Sequence, residues 1–235
     1  MAQAVQSTER TYYRDTYLET LDVKVLSIGN DELGNYLIFD KTLFHPQGGG
    51  QPDDKGWIEA GENKFEVVKL VAPRDPNENP YVIRHYFSSQ PNWEAILRIN
   101  STVKQKINME TRLLNARYHS GGHILSNAVN TLYPQIDGCR GNHINGQAFV
   151  LFEGPLPADL QKLKADVLQL AQKIINDDLP LHNGWNTNPR TIQFGTLKAY
   201  PCGGTHVGST SQIGTILIRN IKNEKGSLKI GYDLK

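Results

Sequence analysis

Two short motifs far apart in the chain, HSGGH at 119–123 and PCGGTH at 201–206, set the strongest limit on what this sequence can fold into. His119 and His123 stand four apart, so on a helix both imidazoles leave one face, one turn above the other. Cys202 and His206 bracket a Gly-Gly pair, which accepts the backbone angles of a turn that folds both side chains toward one point. Three imidazoles and one thiolate suit the tetrahedral preference and borderline softness of zinc. An isolated histidine is more often a surface or core residue, but here four of the nine His and Cys residues fall into two spaced pairs. His45, His85, His143 and His182 are left over, and only His45 and His143 have neighbours suggestive of function.

The chemistry of such a site is narrowed by what surrounds it. No Glu follows His119, so the base of a zincin peptidase is absent, and the paired-cysteine segment of a zinc deaminase is missing as well. Four protein ligands ordinarily close a structural zinc, so catalysis requires an open position or a ligand that yields. With a labile ligand the ion lowers the pKa of bound water; otherwise it shapes the pocket or holds a substrate amino group. Both readings stay open. With only Cys139 and Cys202 present, no disulfide scaffold competes for the thiol.

Hydropathy patterning predicts two domains of α+β class. Alternation at Leu21–Leu26, Tyr36–Asp40, Trp57–Ile58, Phe65–Val71 and Tyr81–Phe87, separated by turns, predicts a small β-barrel-like domain over residues 1–92. Within it, FHPQGGGQPDDKG at 44–56 is a constrained loop; it lacks the Gly-Lys-Ser/Thr ending of a nucleotide loop, which argues against ATP use. Residues 93–235 predict helices packed on an antiparallel sheet, with a further strand at Glu94–Ile99 and a helix-compatible stretch from Asn100 to Tyr133. Gly121–Gly122 interrupts that stretch at a cost of about 2 kcal/mol relative to alanines. Either a helix begins near His119, with Ser120 as its cap, or something packs so closely that side chains are excluded. Ala158–Asn176 carries apolar residues at three- and four-residue steps and predicts a one-sided helix.

LFHPQGGGQPDDKGWI at 43–58, RLLNARYHSGGHIL at 112–125 and PCGGTHVGSTSQIG at 201–214 resemble, in this order, the free-standing alanyl-tRNA editing proteins of the AlaX family. Those proteins are similar to the editing domain of alanyl-tRNA synthetase. The resemblance implies a zinc-containing editing domain after the barrel, with His119, His123, Cys202 and His206 as the metal ligands. It implies hydrolysis of the ester that joins serine, or in some members glycine, to tRNA(Ala). It also implies that Gln47, Gly48, Gly49, Gly50 and Gln51 border the pocket. The family commonly has His-Thr-Ala-x-His around its first pair, whereas Ser120, Gly121 and Gly122 stand here, which leaves a roomier wall.

Serine differs from alanine by one hydroxyl, and a pocket prefers it only by offering a polar partner that alanine leaves unsatisfied. Ser120 with Gln47 or Gln51 is expected in that role, and His119, Ser120 and His123 are the expected catalytic group. Arg117 lies close in sequence to the site and is expected at the substrate. Lys plus Arg total 25 against 24 acidic residues, so a net charge of +1 gives no global attraction to RNA, and contacts to the tRNA acceptor end must be local. The absence of a long apolar run excludes a spanning helix, and Glu9, Asp15 and Glu19 fall where a signal peptide would be apolar; the expected compartment is the cytoplasm, without membrane or obligate protein partner. The competing expectations are a non-catalytic tRNA-binding protein with a structural zinc, and an editing hydrolase of different amino-acid specificity.

Overall fold

The structure, a computed structural model, describes residues 7–73 and 78–235; the parts of the expected amino-terminal domain at 1–6 and 74–77 lie outside the described residues. The chain divides into two compact units, Met1–Gln47 with Asp53–Arg112, and Gly48–Pro52 with Leu113–Lys235.

In the first unit, β1 (Glu9–Arg10) pairs in parallel with β4 (Lys41–Thr42). A closed barrel runs through β2 (Thr20–Asp31), β3 (Gly34–Phe39), β7 (Arg84–Phe87), β6 (Asn63–Val71), β5 (Gly56–Ala60) and β8 (Thr102–Ile107). All its neighbours are antiparallel, and closure leaves no edge to pair with another chain. Alternation builds the interior: Phe65 and Val67 face inward on β6, and a register shift between Val67 and Lys69 then turns Leu70 inward instead of Lys69. On β8, Val103, Gln105 and Ile107 are buried; the Gln105 carbonyl is satisfied by the Leu43 N–H at 2.8 Å and the Thr42 hydroxyl at 3.2 Å.

Two local expectations are corrected here. Glu94–Ile99 is not a strand: Trp93–Ile96 forms a single helical turn, α1, entered from Asn92 at φ 63°. The helix-compatible run after Asn100 is strand β8 up to Ile107, because its inward residues recur every second position and closing the barrel outweighs the helix propensity of its lysines and glutamine. Arg112 also belongs to this unit. Its fully buried guanidinium donates to both Asp54 carboxylate oxygens, at 2.9 and 2.5 Å, and to the carbonyls of Thr16 and Leu43. These four hydrogen bonds, two of them to the paired carboxylate, are the kind of compensation a buried ion pair needs, and they occupy Arg112 within its own unit.

In the second unit a four-stranded antiparallel sheet is ordered β14 (Ile216–Glu224), β15 (Ser227–Leu234), β10 (Phe149–Glu153), β9 (Asp137–Asn142). A smaller sheet joins β11 (Leu181–Gly184), β12 (Thr191–Phe194) and β13 (Tyr200–Pro201). Helix α2 (Met109–Leu132), from Leu113 onward, and α3 (Leu160–Asn176) pack their apolar faces into one core with the sheets: Ile124, Leu125 and Val129 meet Leu163, Val167, Ala171, Phe152 and Ile230. The Asp159 carboxylate caps α3 by accepting the N–H groups of Gln161 and Lys162.

Helix α2 runs unbroken through Gly121–Gly122, so Ser120 is not a cap. The start lies at Asn108, whose side chain accepts the Thr111 N–H at 3.0 Å. Close packing that excludes a side chain holds for Gly122. A Cβ on Gly122 would lie 2.7 Å from His143 Nδ1 and 3.0 Å from the Tyr232 hydroxyl, and nearer still to His143 Cε1. No described helix is long and apolar enough to cross a membrane.

Candidate metal centre

The second unit brings the two sequence motifs to one point. The ligand atoms of His119, His123, Cys202 and His206 all lie within 4.8 Å of one another. Cys202 Sγ is 3.3 Å from His119 Nε2 and 3.6 Å from His206 Nε2. A tetrahedral zinc with ordinary Zn–S and Zn–N bonds has S···N edges of about 3.5 Å, so these two separations fit a shared ion. His123 Nε2 is buried without a hydrogen-bond partner, a cost that a bound cation removes. The donor set and the orphaned nitrogen both fit zinc.

Each ligand is held by its own segment. His119 and His123 stack on α2 with ring centroids 5.1 Å apart and planes within 9°, as one helical turn dictates. The Cys202–His206 turn is clamped by Arg190, whose guanidinium donates to the Cys202 and Gly204 carbonyls at 3.0 and 2.7 Å. A Cβ on Gly204 would lie 2.8 Å from Gln51 Oε1 and inside contact distance of the His119 ring, so this turn admits no side chain there. His119 Nδ1 meets Gln51 Oε1 at 2.8 Å, which leaves Nε2 facing the other ligands.

Burial sets the protonation of the centre. It holds the His123 imidazole down to about 4, with Arg190 adding to the effect, so the ring stays neutral as a ligand must. Burial also pushes the Cys202 thiol up, against the Gly204 N–H and Arg190, which favour the thiolate. An ion binding there has to displace the thiol proton.

A cavity of about 250 Å³ opens beside the ligands, lined by His119, His123, Cys202, Gly49, His143 and Tyr200 among others. The Tyr200 hydroxyl is buried without a partner, and burial, with a smaller push from Asp137, raises its phenol to about 12, so it keeps its proton as a donor. His143 stacks on His119 with centroids 4.5 Å apart. Its imidazole is lowered to about 3, by burial first and His123 second.

The other predicted site residues are distributed unevenly. Gly49 lines the cavity, the Gly50 carbonyl accepts the His143 N–H at 2.8 Å, and Gly48 bridges to Gln51. Gln51 is fully buried and uses its amide on His119 and on Thr205, accepting the Thr205 N–H at 3.0 Å and donating to its hydroxyl at 2.9 Å. Gln47 is exposed and belongs to the first unit. Ser120 is fully buried, accepts the Val207 N–H at 3.1 Å, and is not among the cavity-lining residues. Arg117 donates to the Ile213 and Lys235 carbonyls. Arg219, Lys222 and Lys229 line a second cleft of about 290 Å³. Sequence reasoning missed Arg190, Thr205, Tyr200 and Tyr232; their roles depend on contacts between distant segments, and no local spacing announces them.

A family model described as the threonyl and alanyl tRNA synthetase second additional domain matches residues 190–229, the stretch that holds Arg190, Cys202 and His206. The chain is 29% identical over 256 residues to an alanine–tRNA ligase of Saccharolobus islandicus, covering 97% of this chain and 27% of the ligase. It is also 29% identical over 243 residues to the alanyl-tRNA editing protein AlaX-L of Pyrococcus horikoshii, covering 95% of this chain and 57% of that protein. To AlaX-M of the same organism it is 28% identical over 217 residues, covering 90% of each. The chain thus spans about a quarter of the ligases it matches and nine-tenths of AlaX-M. The likeness to AlaX-type proteins extends over nearly its whole length at moderate identity.

Proposed function

We propose that this chain is a trans-editing hydrolase that deacylates mischarged tRNA(Ala) in the cytoplasm, with Ser-tRNA(Ala) as its main substrate and Gly-tRNA(Ala) as a second. The observation that carries the reading is the convergence of two imidazoles from α2 and the Cys202–His206 turn beside a cavity that Gly49 of the glycine-rich loop also lines. The similarity to proteins named for alanyl-tRNA editing supports the choice of substrate class.

In this reading His119, His123, Cys202 and His206 hold zinc. When bound, the ion supplies a fixed positive charge that organises the pocket and favours the negative charge developing on an ester carbonyl. The chain's own residues do the rest. Gln51 sets the tautomer and ring plane of His119, as partners of metal-bound histidines generally do. Gly49 lets the loop backbone border the cavity, and Gly50 anchors the segment at His143. We assign Ser120 to the support of the turn at Val207, next to His206, and Arg117 to the support of the carboxyl-terminal segment.

The competing reading, a tRNA-binding protein with a structural zinc, is favoured by one observation: all four candidate ligands are protein side chains. Zinc-loaded protein incubated with Ser-tRNA(Ala), Gly-tRNA(Ala) and Ala-tRNA(Ala) separates the two. Release of serine well above release of alanine supports editing. Equal inactivity on all three by a folded, metal-loaded protein that still binds tRNA supports the structural alternative.

A further inference from the structure

His143 is the one histidine in the cavity that is not among the four candidate ligands, and its environment selects one tautomer. The Tyr232 hydroxyl donates its single proton to the Tyr118 carbonyl at 2.7 Å. Tyr232 can then only accept from His143 Nδ1, 2.8 Å away. The proton of a neutral imidazole is therefore on Nδ1, and Nε2 keeps a lone pair.

The ring occupies a slot made by absent side chains. A Cβ on Gly122 would lie 2.7 Å from Nδ1, and one on Gly141 would lie 2.5 Å from Nε2 and 2.6 Å from Cε1. The Gly50 carbonyl holds the His143 backbone N–H, and His119 stacks on the ring. Three separate segments, α2, the loop at Gly50 and β15, thus hold His143 in place, with only 6% of the residue exposed, at the wall of the cavity that the candidate ligands line. A purely space-filling side chain would need neither the Tyr118–Tyr232 relay nor two glycines.

We propose that His143 Nε2 accepts a hydrogen bond from the water molecule that attacks the aminoacyl ester, which makes His143 a catalytic residue of the reaction proposed above, on which this inference rests. The water oxygen adds to the ester carbonyl carbon, the bond from that carbon to the ribose oxygen breaks, and one water proton ends on the ribose oxygen. The products are tRNA and the free amino acid, whose carboxyl proton passes to solvent. His143 orients the water and finishes with the proton count it began with.

His143→Phe keeps a ring against His119 and removes the acceptor, while His143→Gln returns a polar amide of similar reach. On whichever aminoacyl-tRNA the wild type hydrolyses, His143→Phe is expected to lose about 100-fold or more in kcat with KM within twofold, at unchanged zinc content. His143→Gln is expected to recover part of that loss. Nitrogen-15 NMR of the wild-type ring, with and without zinc, is expected to show a protonated Nδ1 and a bare Nε2. An Nε2-protonated ring overturns the proposal whatever the activities are. So does an active wild type whose kcat survives His143→Phe, or a loss confined to KM or explained by lost zinc. If His143→Phe fails to fold, the tautomer and the His143→Gln kinetics decide. A wild type that hydrolyses nothing in the panel refutes the editing reading itself, a failure distinct from an indifferent His143→Phe in an active enzyme.

Discussion

Gln51 Oε1 sits 2.8 Å from His119 Nδ1 and also accepts the Thr205 N–H at 3.0 Å, so one amide oxygen ties a loop residue to a helix ligand and to the segment next to His206. Removing that oxygen frees the His119 ring to turn and leaves a buried N–H unsatisfied. Gln51→Ala is expected to weaken zinc binding 10- to 100-fold, as loss of a ligand's outer partner typically does. Gln51→Glu keeps an acceptor for both N–H groups and should stay within a few-fold of wild type. Chelator competition gives both affinities; equal affinity for wild type and Gln51→Ala would show that His119 needs no such support.

The two helical glycines separate by experiment. A Cβ on Gly121 meets only the tip of Leu234 at 3.3 Å and the Tyr232 ring at 3.5 Å, both of which can give slightly. Gly121→Ala should therefore be neutral or gain up to about 1 kcal/mol from helix propensity. Gly122→Ala drives a methyl into the His143 ring and should cost about 1–3 kcal/mol by overpacking. Urea unfolding of the two variants checks the contrast, and equal stabilities would mean that the slot for His143 is not tight.

Much of this was legible in the sequence, and the reasons are local. The spacing of His119 and His123 on a helix, and of Cys202 and His206 across a Gly-Gly turn, encodes two half-sites that the fold has only to bring together. The barrel strands carried their own two-residue period, and α3 its one-sided stripe. What escaped was set by tertiary partners. Thr102–Ile107 reads as helix by composition but supplies the strand that joins β2 to β5. Glu94–Ile99 reads as strand, yet Asn92 starts a helical turn. Ser120 reads as a cap because the glycines after it read as a break; the close neighbour of the second of them, Gly122, is His143, a residue from a distant segment.

Metal removal and loading give a third measurement. Burial holds the Cys202 thiol protonated above its ordinary range, whereas His123 is already neutral near pH 7. Zinc binding at pH 7 should therefore release about one proton, and apparent affinity should rise about tenfold per pH unit in that region. Calorimetry in buffers of different ionisation enthalpy reads the proton count. Cys202→Ala should bind zinc with no such release and much more weakly; a variant that still releases the proton would place its source elsewhere.

The barrel carries a pH dependence of its own, away from the metal ligands. His85 is fully buried, with Nε2 2.8 Å from the Thr42 hydroxyl and Nδ1 3.3 Å from the Leu37 carbonyl, and burial lowers its imidazole from 6.5 to about 4. The unfolded chain takes up a proton below pH 6.5 while the folded barrel does not, so the unfolded state binds more protons and stability falls as pH drops. The loss is absent above about pH 6.5, grows through the interval and levels off near pH 4, where it reaches about 3 kcal/mol at 1.36 kcal/mol per pH unit. His85→Gln keeps a polar side chain without the titration. Its stability should start lower at pH 7.5, because the packing of His85 between Phe39 and Phe44 is lost, and then decline less steeply than wild type between pH 6.5 and 4.5. Thermal or urea unfolding across that range measures both slopes, and parallel curves would assign the acid sensitivity to other groups.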